Sequence, residues 1–486
     1  MTEPIKSYNK ICGRLCVEMT GRLASPLSIG SGEDEYTDGD VVVDAQGEPY
    51  IPGTSLAGAM REYANAVKGD SVMNQLFGTP ENVVPGSRED RQSRIFIYDA
   101  AIKQARTGIR DGVKLNERKT ASYMGKYDLQ FVEQDADIRF RIEILEREEC
   151  LKKQQNIQEL WAADLDWIRL WQQGFNGGEL RLGAKTRRGY GKIEIKRIRI
   201  KKFDMRDRVS YMEWLDWDWD QEDAFENSEI DEICTGTKPL KNDIRLEHCL
   251  EVPLQLSGTL LVRTYITLFA KTEDLPDYGQ MTVEGKGERA VIPGSSWAGA
   301  FRSRIAKIVE ELGQLSDWQE AQKSLEPLFG TWSDTKEKKA DLCASRVIFE
   351  ESVIEGGHGL PTARIAVDRF TGGTVQGALY EEVPWTGGTI CLRIRWKKDG
   401  RELTDRAVCG LLLWAVKDLQ SGFLTIGGET SVGRGIFEPN RDHSDILLDG
   451  EVFGNREQEE SMQAAALWVQ NAVKDENARR QKSEKV

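Results

Sequence analysis

Two kinds of turn in this chain carry the residue types that hold phosphate groups. The first is Gly183-Ala-Lys-Thr-Arg-Arg-Gly-Tyr-Gly191. Its glycines permit positive φ and close approach of the backbone to a ligand. Consecutive free amides in such a turn form an anion-binding concavity. Lys185, Arg187, Arg188 and Lys192 add charge suited to phosphate. A plain tight hairpin would require the same glycines. The second is Ile51-Pro-Gly-Thr-Ser-Leu-Ala-Gly-Ala-Met-Arg61. It puts the hydroxyls of Thr54 and Ser55 at the start of a helix, where free amides attract anions. Arg61 follows Thr54 by about two turns. It is either a phosphate-facing charge, a surface charge or part of an internal ion pair.

Both stretches occur twice. Ile292-Pro-Gly-Ser-Ser-Trp-Ala-Gly-Ala-Phe-Arg302 repeats the second at an offset of 292 − 51 = 241 residues. Gly427-Gly-Glu-Thr-Ser-Val-Gly-Arg-Gly435 repeats the first at 427 − 183 = 244. Two motifs in one order and at nearly one offset mark a tandem duplication. The second copy offers Ser296 and Arg302 at the helix, but only Arg434 beside Glu429 at the glycine-rich turn, so its basic character there is weaker.

The elements that must position these turns follow from local pattern. In the first copy, residues 11–24 alternate as a strand. Pro52-Gly53 breaks a strand, and Thr54 or Ser55 caps a helix to about Val67. Gly58 inside it costs about 1 kcal/mol against alanine and suggests a close packing contact. Arg94–Tyr98 and Asp137–Leu145 read as strands, 151–173 as a helix ending at Gly174, and Glu179–Leu182 and Lys192–Ile200 as strands flanking the glycine-rich turn. The second copy gives a β-patterned run over Leu254–Phe269, a helix to about Leu312, strands at Arg346–Phe349 and Thr389–Trp396, and a helix over Asp405–Leu419. Strand, loop, strand, helix, strand, hairpin, strand, helix, strand is the split β-α-β order of a ferredoxin-like α+β fold with an added hairpin, a topology shared with the RRM. The expected organisation is two such domains at 1–203 and 246–440, an acidic tryptophan-containing linker or insertion at 204–245, and a charged tail at 441–486.

Composition narrows the class. The 486 residues carry a net charge of −14. Asp204–Glu232 alone holds twelve acidic residues and two arginines, net −10, leaving −14 − (−10) = −4 for the rest. The acidity is therefore local and does not argue against a nucleic-acid groove elsewhere. Trp214, Trp217 and Trp219 within that segment suggest that it docks on something. No apolar run approaches the ~20 residues that span a membrane, and no apolar signal stretch opens the chain, so a cytoplasmic location is expected. The eight cysteines are scattered and there are three histidines; reduced thiols are expected, and structural zinc is not.

The paired Ile-Pro-Gly-[Ser/Thr]-Ser-x-x-Gly-x-x-Arg motifs, the stretch Val367-Asp-Arg-Phe-Thr-Gly-Gly373 and the terminal glycine-rich loops resemble the RAMP superfamily of CRISPR-associated proteins. They are most similar to backbone subunits of type III effector complexes, here as a fusion of two units in a type III-D-like arrangement. The resemblance covers nearly the whole chain except the acidic segment and the tail. It implies a subunit that holds guide RNA alongside other effector subunits. A thumb hairpin in each copy, near Leu115–Tyr127 and Val367–Leu379, would displace a guide–target base pair. Arg118 and Arg369 near the thumbs would meet the RNA backbone.

The resemblance further implies an aspartate, in the loop before each Ile-Pro-Gly motif, that supports metal-dependent cleavage of target RNA. In the first copy this falls on Asp38, fourteen residues before Pro52, with Asp40 and Asp34 as alternatives; in the second on Asp277, sixteen before Pro293, with Asp274 as alternative. Such a carboxylate could hold Mg2+ or Mn2+, or orient the attacking 2′-hydroxyl; aspartates in glycine-rich loops also cap turns. Two rival readings remain: a non-catalytic guide-RNA scaffold, and a guide-processing endonuclease using His248, His358 or His443, which all lie outside the repeated motifs.

Overall fold

The structure is a computed structural model that describes residues 10–30, 39–79, 92–115, 121–148, 156–221, 225, 245–264, 276–283, 288–315, 317–331, 342–399 and 403–483. The chain divides into two compact units. The first comprises residues 1–109, 129–186 and 190–246, the second 110–128, 187–189 and 247–486.

In the first unit β1 (Ile11–Leu23) is central. It pairs antiparallel with β5 (Asp137–Arg147) on one side and β6 (Ile193–Asp204) on the other, and β2 (Ile95–Ile97) pairs antiparallel with β5. Alternation sets the two faces of this sheet. Leu15, Val17 and Met19, opposite Ile144, Ile142 and Phe140, point into a core closed by α1 (Gly53–Lys68) and α2 (Ile157–Gly177). Arg14, Cys16 and Glu18 point to the outer face. In α2, Trp161, Leu165 and Ile168 lie on the buried stripe, as their spacing predicts. The helix does not end at Gly174. That glycine lets the ring of Tyr63 pack against the backbone, where a Cβ would come within 2.5 Å of it, and the stop comes at Gly178 in the left-handed conformation.

The second unit repeats the plan. β7 (Glu247–Ser257) is flanked by β11 (Thr389–Lys397) and β12 (Ile436–Pro439), and β8 (Val347–Phe349) lies beyond β11, all antiparallel. α4 (Gly294–Gly313) and α5 (Asp405–Gln420) cover the core. Gly258, at φ 84°, ends the predicted long β run after Ser257. Trp297 replaces the Leu56 of the first copy and is fully buried, edge-on to Phe301 and tilted against Phe437. The architecture is two ferredoxin-like α+β units, and each repeat of the sequence has an extra hairpin: β3 (Thr107–Leu115) with β4 (Ala121–Val132), and β9 (Thr362–Val367) with β10 (Thr374–Val383). The long C-terminal helix α6 (Asn455–Ser483) packs on α5.

The described residues after β6, 205–221 and 225, form a helix and a ring cluster. Asp207 caps α3 (Arg208–Leu215) by accepting from Ser210 N, and Trp217, Trp219 and Phe225 form a ring cluster with Phe203 and Tyr98 on the outer face of the first sheet. The described cysteines, Cys12, Cys16, Cys249, Cys343, Cys391 and Cys409, are free thiols. No helix among the described residues is long and apolar enough to cross a membrane.

Candidate nucleic-acid interface

The two Ile-Pro-Gly motifs fold identically, for a steric reason. The helices begin at Gly53 and Gly294, with Pro52 and Pro293 in the capping position and no side-chain cap. Thr54 and Ser55 therefore do not cap, contrary to the sequence reading: the helix starts one residue too early for them. A Cβ on Gly53 would sit 2.4 Å from the Ile97 carbonyl; on Gly294 it would sit 2.2 Å from the Phe349 carbonyl. Only glycine allows the helix to start that close to the neighbouring strand. The Gly53 amide, one of the free donors of the first turn, is taken by Asp99 Oδ1 at 2.7 Å. Ser55 and Ser296 are half-buried, and their amides bond back to the carbonyls of Pro52 and Pro293. Gly58 meets nothing within 4 Å, so the predicted close contact there is absent.

Arg61 and Arg302 turn to the helical segment that follows each motif. Arg61 donates to Asn74 Oδ1 at 3.3 Å, and Arg302 to Gln322 Oε1 at 2.6 Å, with Phe329 under its guanidinium. Burial pushes the Arg302 pKa down to about 10. Both arginines brace the interior of their unit.

The glycine-rich loops also superimpose in conformation. All of Gly183, Gly189, Gly191, Gly427, Gly433 and Gly435 have positive φ, and so do the matching Lys185 and Glu429, each at 56°. A Cβ on Gly191 or Gly435 would lie 1.8 Å from the carbonyl of Leu182 or Ile426, so closure of the turn alone dictates glycine there. Of the cations, Arg188 is exposed and donates to the Tyr127 hydroxyl at 3.0 Å. Arg187 lies 3.9 Å from Glu247, and Lys185 and Lys192 are half-buried.

Arg434 departs from the expectation of an RNA-facing charge. It is buried against the fully buried Glu382, with Arg364 on the same carboxylate at 2.6 Å and Glu429 3.5 Å from its Nε. A carboxylate taken wholly out of water needs cations beside it, and Arg434 is drawn inward for that reason.

Each hairpin lies beside the loop that leads to its Ile-Pro-Gly motif. Residues Tyr278–Gln280 run parallel to β10, and the exposed Asp277 just before them accepts from the Glu381 amide through Oδ2 at 2.9 Å. Arg263 stacks over Tyr278 at 4.5 Å, and Tyr278 meets Tyr380 edge-on. At the hairpin tip Asp368 accepts from the amides of Phe370 and Thr371. Those bonds hold its carboxyl below the usual range. Arg369 is exposed and Phe370 is 99% exposed. In the first copy the half-buried Asp40 sits between two anchors: Gly39 O accepts from Gln130 N, and Val41 N donates to Gln130 Oε1. Asp34, Asp38, Asp274 and Arg118 lie outside the described residues.

The backbone ladders align the two loops. Ala184 N and Gly428 N donate to the carbonyls of Ser28 and Leu261, which makes Ser28 equivalent to Leu261 and Ile29 to Val262. Val42 N and Met281 N then donate to Ile29 O and Val262 O, and the carbonyls of Val42 and Met281 accept in turn from Tyr50 N and Val291 N. Val42 is thus equivalent to Met281, an offset of 281 − 42 = 239. Counting four residues back from each reaches positions 38 and 277. The two-residue difference in spacing to the prolines falls after the aspartates, within 43–49 against 282–290.

The RAMP superfamily model matches residues 21–194 and 280–438, the two repeats just described. The chain belongs to the RAMP superfamily. Among solved structures it is similar to a chain of the cryo-EM structure of the type III-B Cmr-beta complex bound to cognate target RNA, at 18% identity and a TM-score of 0.29. That match covers 39% of this chain and 61% of that one. No curated protein matches the chain.

In the hairpin of the first RAMP repeat, Asp111 on β3 and Asp128 on β4 share a hydrogen bond. Burial, together with that neighbour, pushes the Asp111 pKa up to about 6. A raised carboxylate pKa means that the fold binds its proton more tightly than the open chain, so it loses stability as pH rises from about 4 to about 6. Asp111→Asn is therefore expected to raise stability at pH 8 by about 1 kcal/mol, after allowance for partial exposure, and to have little effect at pH 4. Thermal melts of both proteins at the two pH values check this.

The histidine reading finds no support in position. His248 Nδ1 is 2.7 Å from Asp449 Oδ2 and its ring lies against Trp396, while His358 and His443 are exposed. Sequence reasoning missed Asp99, Arg263, Tyr278 and Glu382. Asp99 and Arg263 are brought in by long-range contacts that no local pattern announces; Tyr278 follows a loop aspartate and Glu382 the thumb, and both were recoverable from that adjacency.

Proposed function

We propose that this RAMP protein is a guide-RNA-binding backbone subunit of a type III CRISPR effector ribonucleoprotein, working in the cytoplasm with other effector subunits, and that it cuts the paired target RNA at Asp277 and at Asp38. The observation that supports the reading is the shared register of the two loops, by which position 38 corresponds to 277 in the sequence, together with the bond that sets Asp277 beside the hairpin of the second copy. Phosphate positions the RNA: the exposed Arg188 and Arg369 and the half-buried Lys185 and Lys192 are the cations offered to it. The hairpins act on the duplex, with Phe370 as an apolar wedge at one tip.

The donor set fits a hard divalent ion, Mg2+ or Mn2+, only in part. Among the described residues no group of three His, Cys, Asp or Glu could hold a metal. A single exposed carboxylate matches the way Mg2+ is held, through one or two carboxylates with the remaining positions left to water and substrate phosphate. Bound there, the ion would supply Lewis-acid stabilisation of phosphate charge. Asp277 itself is held in place by the Glu381 amide and brings a negative charge to the hairpin base, where it can orient a 2′-hydroxyl or accept its proton.

That same hydrogen bond favours the second reading, a scaffold in which Asp277 only fixes the loop. RNA binding is common to both, and a salt titration tests it. Affinity for guide RNA should fall linearly with salt on logarithmic axes and be equal for guides that differ only in spacer sequence. A strong spacer preference in a filter-binding assay would sink the backbone assignment.

A further inference from the structure

A sheet of this topology takes single-stranded RNA on its open face in other modules, stacking bases on aromatic residues. In the first unit that face is not open. Arg14, Arg139, Arg141 and Arg199 project from it, against the buried Glu18 and Glu143. Phe96 and Tyr98, 47% and 42% exposed, stand at its β2 edge opposite Glu143. The acidic segment lies across this surface. Arg14 stacks over Trp214 at 4.2 Å, Arg141 over Trp219 at 5.3 Å and Arg199 over Phe225 at 4.4 Å. Asp220 pairs with Arg139 at 3.2 Å and Arg141 at 2.5 Å. Trp217 fills the space over Phe203, and Trp219 meets Tyr98 edge-on.

The occupant has the chemistry of a nucleic-acid strand. Flat rings at 214, 217 and 219 turn toward the sheet, while the carboxylates of Asp216, Asp218 and Asp220 remain exposed. Rings on arginine and aromatic partners, with an anion beside each, are what a stacking surface and a cationic groove select in single-stranded RNA. The fit is imperfect: the indole N–H of Trp217 is buried with no hydrogen-bond partner among the described residues. An unmet donor works against closure, so a better ligand could displace the segment.

We propose that the outer sheet face of the first unit is a single-stranded-RNA-binding surface held closed by the chain's own acidic tryptophan segment, residues 207–221 with Phe225. Closed, it keeps stray RNA off a face separate from the carboxylate loops, so the proposal does not depend on the cleavage reading.

The test uses the full chain and a fluorescein-labelled oligouridylate at physiological salt. Trp217→Ala with Trp219→Ala and Asp220→Ala should bind at least tenfold more tightly than the unaltered chain. Adding Arg139→Glu and Arg197→Glu, both on the uncovered face, should return affinity to the starting value. Should the tryptophan variant fail to melt cooperatively, Asp218→Lys with Asp220→Lys loosens the cover from its exposed side and should still tighten binding severalfold. Unchanged affinity in a folded uncovered variant overturns the proposal. So does a gain that survives the two glutamate substitutions, and so does self-association without RNA binding, which would make the face a protein-docking surface.

Discussion

Asp277→Ala, in the assembled complex with a complementary target RNA, is expected to remove one cleavage product and leave the other, with Asp38→Ala removing the second and the double variant both. A positioned carboxylate that moves a proton or holds an ion contributes on the order of 10²–10⁴-fold to rate, so the lost band should fall below detection on a denaturing gel. Guide binding should be unchanged. Asp277 is exposed, and its removal leaves only the Glu381 amide to be met by water, a cost of about 1 kcal/mol or less. The amide substitution separates the two readings. Asp277→Asn keeps an oxygen for the Glu381 amide but has no charge. If the residue only fixes the loop, asparagine should cut at nearly the full rate; if its charge matters, asparagine should be as inactive as alanine.

The pairing of position 38 with 277 shows what was and was not legible in the sequence. The glycine-rich turns and Ile-Pro-Gly motifs declared the repeat because each is fixed by local sterics: positive φ at Gly191 and Gly435, and backbone approach at Gly53 and Gly294. Strands such as Asp137–Arg147 and helices such as Asp405–Gln420 were legible because one face of each is apolar at the right period. What escaped depends on contacts distant in sequence. Asp99 caps α1 from 46 residues away. The helix Asp70–Phe77 follows α1 directly after Gly69, and its eight residues are too few to set up a period. The tryptophans of 214–219 signalled docking but not on what, because their partners, Arg14, Arg141 and Phe203, come from strands far away in the chain. Arg434 was misplaced because a basic residue beside a glycine turn reads the same whether it faces RNA or a buried glutamate.

That last residue leads to the largest expected change in stability. Glu382→Ala should destabilise the second unit by about 3–5 kcal/mol, because it strands Arg434, buried at 3% exposure, without its main counter-charge. Arg434→Ala should cost a similar amount by leaving Glu382 with only Arg364. The network as a whole is not what the fold needs, and the first unit supplies the reason. Tyr190 occupies the place of Arg434, immediately before the last glycine of the loop, and Phe131 meets it edge-on at 6.3 Å, both buried. One repeat fills the site with rings, the other with an ion pair. Replacing a buried pair by well-packed apolar groups is often neutral or favourable, while two of the ion pair's own atoms, Glu382 Oε2 and an Arg434 guanidinium nitrogen, have no hydrogen-bond partner among the described residues. Glu382→Phe combined with Arg434→Tyr should therefore recover most of what either alanine variant loses. Urea titrations of the two alanine variants and the ring-bearing double variant measure this. A double variant as unstable as the single ones would mean that Arg364 and Glu429, which keep their charges, fix the site to the ionic solution in this repeat.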